Sequence, residues 1–120
     1  MRSEWITYEN KRIFFCHFDN MSAETLRIEV DDSENVLCQE AKKSVLILTD
    51  VRGTLGSTAV TNIFKMSTSK TRDYVYRSAV VGIGVAGPRK IIFDLVMKFS
   101  GQNAVLFNDI QKAKDWLVSD

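Results

Sequence analysis

With 120 residues and 13.6 kDa, the chain is long enough to bury one core and short for two, so residues 1–120 are read as a single domain. Its 45% hydrophobic and 26% charged residues describe a globular protein, and a net charge of +1 offers no polycationic grip on nucleic acid. No apolar leader follows the charged residues 1–6, no run nears the ~20 apolar residues of a membrane span, and Cys16 and Cys38 form no CxxC pair; a cytoplasmic protein with two reduced thiols is expected.

In chain order, residues 5–8 and 12–18 are rich in β-formers and read as two strands around a turn at Glu9-Asn10-Lys11. His17, the one histidine, lies in the second strand and is expected to be structural. Ser22 can cap a helix running to about Ala41, with Leu26, Val30, Leu37 and Ala41 on its buried stripe. The polar run 31–35 is a weak spot in that helix. It is no calcium loop, because Val36 stands where the loop glycine belongs and Lys42 where its last acid belongs. Residues 45–48 form a buried strand. The loop after it carries Asp50 and Arg52 at a carboxyl strand end, and Ser57 or Thr58 caps a second helix bearing Ala59, Val60, Ile63, Phe64 and Met66.

Residues 79–85 carry no charge and read as a central strand covered on both faces. Gly87 and Pro88 stop it, and Pro88 suits a first helical turn. In the helix that follows, Ile91, Ile92, Leu95, Val96 and Phe99 are expected to cover the sheet. That leaves Phe93 and Met97, four apart, as a surplus. Residues 104–107 form a last short strand, and Asp109 caps a last helix with Ile110, Ala113, Trp116 and Leu117 on one side. The order β-β-α-β-α-β-α-β-α calls for an α/β fold: a mostly parallel sheet of about five strands, with right-handed crossovers and about four helices.

That order, together with Val81-Gly82, Phe99-Ser100-Gly101, Phe107, Asp109 and residues 113–117, resembles the STAS fold. Within it, the chain is similar to the small bacterial STAS-like proteins grouped by fold with CRAL-TRIO lipid carriers. The resemblance implies a cytoplasmic, non-catalytic binding domain whose relatives associate with membranes or hold small nonpolar molecules through mobile apolar helices. Anti-sigma-factor antagonists of this fold carry a phosphorylatable serine in an Asp-Ser-Ser-Gly stretch. The corresponding stretch here is Asp50-Val51-Arg52-Gly53, with Ser57 further on, so a phosphoswitch is not carried over to Ser57.

Residues 82–87 are a formal GxGxxG before a helix, with Asp109 about 20 residues on. Gly82 and Gly84 fall inside the expected strand and no second nucleotide-binding half follows, so close packing of helix on strand is the reading preferred to a nucleotide site. No catalytic triad, carboxylate pair or metal-ligand cluster is legible; no enzyme, cofactor or metal is expected. Charge is uneven along the chain: seven acids against Arg27 between residues 17 and 41, then eight bases against two acids between residues 52 and 98. If Phe93 and Met97 stand exposed beside Phe64 or Met66, they form an apolar patch flanked by Arg89 and Lys90; the competing reading packs them against the neighbouring helix. The expectation is a non-enzymatic binding module for a small apolar molecule or an anionic lipid surface, cytoplasmic or peripheral to the membrane, with no nucleic acid partner. The alternative is a regulatory protein-interaction module using Asp50, Arg52, Ser57 and Thr58, with a homodimer among its assemblies.

Overall fold

The structure is a computed structural model and describes every residue except Leu55 and Val85. Strands β1 (Glu4–Tyr8) and β2 (Lys11–His17) pair antiparallel, Trp5 opposite Phe14. Glu9 and Asn10 both take positive φ, as a two-residue type I′ hairpin turn requires. Strands β3 (Val45–Asp50), β4 (Val75–Val81) and β5 (Ala104–Phe107) then add in parallel, giving one mixed sheet in the order β1-β2-β3-β4-β5.

This sheet grows in one direction. Successive right-handed crossovers therefore put helices α1 (Ala23–Leu37), α2 (Thr58–Thr71) and α3 (Pro88–Ser100) on the same face. Helix α4 (Ile110–Val118) follows the last strand and folds back onto the other face. Side-chain alternation divides the strands accordingly. Phe14, Cys16, Ile47 and Val80 pack under α1 and α2 with Leu26, Val30, Val60 and Ile63. Ile13, Leu46, Leu48, Ala79 and Val81 pack against Ala113 and Leu117 of α4. The strand order never reverses, so the sheet lacks the switch-point crevice of doubly wound folds.

Several boundaries differ from the sequence reading. Strand β2 spans Lys11–His17, one residue earlier than expected, and β3 runs on through Thr49 and Asp50, which pair with Val80 and Val81 of β4. Helix α1 ends at Leu37 and not near Ala41: Cys38 N–H still reaches Glu34 O, but Gln39 and Glu40 bond only three residues back, the tighter winding that closes many helices. It runs unbroken through residues 31–35 because Asp31, Asp32 and Asn35 face solvent while Ser33 faces in. Strand β4 spans Val75–Val81, four residues earlier than expected, because β3 pairs with the polar segment 75–78 as readily as with the apolar one. Gly82 and Gly84 consequently lie in the turn, at φ of 114° and 84°, and Val85, the expected strand end, is outside the described residues.

Candidate functional site

Helix α3 decides the site. Gly87 and Pro88 start it, and Gly101, in the left-handed conformation, ends it with its N–H on Met97 O. Its apolar residues form two stripes. Phe93, Val96, Met97 and Ser100, at i, i+3, i+4 and i+7, face the protein, with Val96 and Ser100 buried. Ile91, Leu95 and Phe99, at i, i+4 and i+8, face outward and are 63%, 62% and 57% exposed, with Ile92 at their edge. Apart from Val96, which is buried as expected, this reverses the expected orientation. The sheet-facing stripe is the one holding Phe93 and Met97, and the surplus is Ile91, Ile92, Leu95 and Phe99. The small Ser100 lets the end of α3 approach α2, where Arg72 donates to Ser100 O at 3.3 Å. The Gln102 side-chain amide donates to Thr68 O at 2.7 Å and to Thr71 Oγ1 at 3.1 Å, so the carboxyl ends of the two helices are tied together.

Between α1, α2, α3 and the sheet lies a half-enclosed cavity of about 780 Å³. Phe18, Ile47, Phe64, Val80, Phe93 and Met97 are among the apolar groups on its wall. Ser57 and Thr58 at the start of α2, and Pro88, Arg89 and Ile92 at the start of α3, line it while remaining exposed, which puts its mouth at the carboxyl edge of β3 and β4. Of the residues expected in an apolar site, Phe64, Phe93, Met97 and Arg89 thus meet at one cavity. Met66 is 57% exposed on α2 and is not on its wall. Lys90 is ion-paired with Asp94 at 2.6 Å along the same helix. Lys65 lies over the Phe99 ring, 4.5 Å from its centroid, so a cation accompanies the outer apolar ridge. Cys16 sits on the cavity wall, and burial pushes its thiol pKa up to about 12.

Asp50, which closes β3 and does not lie in the loop where it was expected, and Arg52 in the loop after it are occupied with internal work. Asp50 is buried. Burial by itself would raise its pKa, but the side chain and backbone N–H of Arg52 donate to the carboxylate, the closest contact at 2.6 Å, and hold it below the ordinary 3.8. Arg52 O accepts from Asn20 N–H at 2.8 Å, and Thr54 Oγ1 accepts from Met21 N–H at 3.0 Å, so the loop ties β3 to the β2–α1 connection. Gly82 packs against it. A Cβ there would fall 2.6 Å from Arg52 N, at a φ that L-residues avoid. The close approach behind this glycine is thus to the neighbouring loop, not to helix α3, as the sequence reading had it. Ser57 is the N-cap of α2, accepting from Val60 N–H at 3.1 Å, and Thr58 is exposed in the first turn. His17 stacks on Phe15 and sits 2.8 Å from Glu4.

Two features of the site escaped the sequence: the outward ridge of α3, whose apolar arc is too wide to assign a phase, and the cavity itself, which no local pattern encodes. Compared with known proteins, the chain matches no family model, no curated protein and no solved structure.

Proposed function

We propose that this protein is a non-enzymatic, STAS-like binding module that holds a small nonpolar ligand beneath α3 and meets anionic lipid through the outer ridge of the same helix. The observation that carries this reading is an apolar cavity of about 780 Å³ roofed by a helix that is apolar on both sides. That volume falls within the roughly 300–1,000 Å³ of small-molecule sites. The ridge of Ile91, Leu95 and Phe99, flanked by Lys65 and Lys98, has the character of an interfacial helix, and each buried side chain would contribute about 1.5–3 kcal/mol. The STAS-like assignment is supported by the element order and by the one-directional sheet. A cytoplasmic protein, peripheral to the membrane, suits this reading.

The test has two arms. Solvent extraction of the purified protein, with mass spectrometry, should recover a nonpolar compound, and the neutral dye N-phenylnaphthylamine should brighten on binding. In co-sedimentation, the protein should pellet with anionic vesicles more than with zwitterionic ones. A protein that yields no compound, leaves the dye dark and ignores vesicle charge is not this module. The alternative, a regulatory protein-interaction module, is favoured by the exposed Arg52 guanidinium at the carboxyl edge of the sheet. Loss of a captured host protein on Arg52→Glu, with dye binding intact, would favour it.

A further inference from the structure

Ser33 is set apart from the other hydroxyls around the cavity. It projects from the second half of α1, is only 3% exposed and lines the cavity wall. Among the described residues its Oγ is the one buried side-chain polar atom without a hydrogen-bond partner. Helical hydroxyls ordinarily satisfy themselves on a carbonyl one turn back. Four of those on α2 do so: Thr61 donates to Ser57 O at 3.1 Å, Thr68 to Phe64 O at 2.7 Å, Ser69 to Lys65 O at 2.8 Å and Thr71 to Ser67 O at 2.9 Å. Ser33 does not bond its own helix, and a buried hydroxyl left unpaired is costly enough to be rare. Glu34, the next residue, also lines the cavity, and Lys70 holds its carboxylate at 3.7 Å. At this end of the cavity, away from Arg89 at the start of α3, a guest anion beside Ser33 would meet a like charge already paired with Lys70.

From this we infer that the ligand is an uncharged amphiphile: a hydrocarbon body in the apolar part of the cavity, carrying one hydroxyl or carbonyl group that pairs with Ser33. This rests on the cavity reading proposed above and adds the chemical class of the guest. The serine supplies selectivity. An apolar cavity alone ranks guests by size, whereas a buried hydroxyl penalises a guest that leaves it unpaired.

The test is a ligand-by-residue cycle on the full chain. Displacement of N-phenylnaphthylamine by n-octanol, n-octane and octanoate is measured on the wild type and on Ser33→Ala and Ser33→Cys. In the wild type, n-octanol should displace the dye more effectively than octanoate. The preference for n-octanol over n-octane should fall about three- to tenfold in Ser33→Ala, and similarly in Ser33→Cys, whose thiol is a poor hydrogen-bonding group of like shape. Ligand-free Ser33→Ala should melt no lower than the wild type, since it removes an unpaired polar group. An unchanged octanol-to-octane ratio, a tighter octanoate, or a ligand-free Ser33→Ala that melts lower or does not fold each overturns the inference and leaves the cavity reading standing. If the dye does not bind or none of the three compounds displaces it, the cavity reading falls and this inference with it.

Discussion

Helices α3 and α4 lie on opposite faces of one sheet and dispose of their apolar side chains differently. Helix α4 buries Ala113, Leu117 and Val118 against β3 and β4, half-buries Ile110 and Trp116, and shows no large apolar residue to solvent. Its alanine, fully buried, lets the helix sit directly on the strands. Helix α3 buries one stripe over a cavity and leaves Ile91, Leu95 and Phe99 outside. A helix that only completes a core needs one apolar stripe; a second stripe on α3 adds nothing to the monomer's packing. The contrast separates side chains the fold uses from side chains available to something else.

The largest effect should come from trading one helix's leucine against the other's. Leu117→Ala should cost about 2–5 kcal/mol in urea unfolding, as for a fully packed leucine, while Leu95→Ala should stay within about 0.5 kcal/mol. Equal costs would break the comparison, because they would mean that Leu95 is covered in solution by a second copy.

Next in size is the tie between α1 and the N-terminal residues. Glu29 of α1 is buried and accepts from the backbone N–H groups of Arg2 at 2.9 Å and Ser3 at 2.9 Å. Glu29→Gln should cost about 1–3 kcal/mol by weakening that clamp. Burial by itself would raise the Glu29 pKa, but these bonds bring it below the ordinary 4.5. The stabilisation is therefore present above the unfolded value and is lost as pH falls through the lower folded one. Asp50 shifts in the same direction and reinforces the trend. Unfolding from pH 7 down to pH 3 should show wild-type stability falling, with a shallower fall in Glu29→Gln; parallel curves would remove Glu29 from this role.

Smaller still is the effect of charge beside the ridge. Arg89→Gln and Lys98→Gln should each weaken binding to anionic vesicles by about 1 kcal/mol, with unfolding unchanged. Vesicle binding indifferent to both would detach the ridge from lipid. The gentlest probe is the pair of thiols. At pH 8 the exposed Cys38 should react with a thiol reagent well before Cys16, whose thiol is held protonated by burial. Simultaneous reaction would mean that the cavity wall at Cys16 is open to water.

Much of this architecture was legible locally. The caps at Ser22 and Asp109, a cap at Ser57 or Thr58, the proline opening α3, a hairpin turn within Glu9-Asn10-Lys11 and the order of nine strands and helices follow from side chains and their immediate neighbours. The sites were legible in part. Of the apolar group Phe64, Met66, Phe93 and Met97 that the sequence suggests, three line one cavity and Met66 stands outside it. The ends of α1 and β4 were misplaced because an apolar run does not say which of its residues a neighbouring strand will pair.

By itself, the sequence determined the class of fold and the apolar surplus of α3, because composition, period and caps act within a few residues. Tertiary structure alone decided which α3 stripe faces the sheet, that a cavity lies beneath it, and that Ser33 is left without a partner. Those outcomes depend on how far and at what rotation one helix docks against elements distant in the chain. Two apolar stripes on one helix make both rotations acceptable until the sheet and α2 select between them.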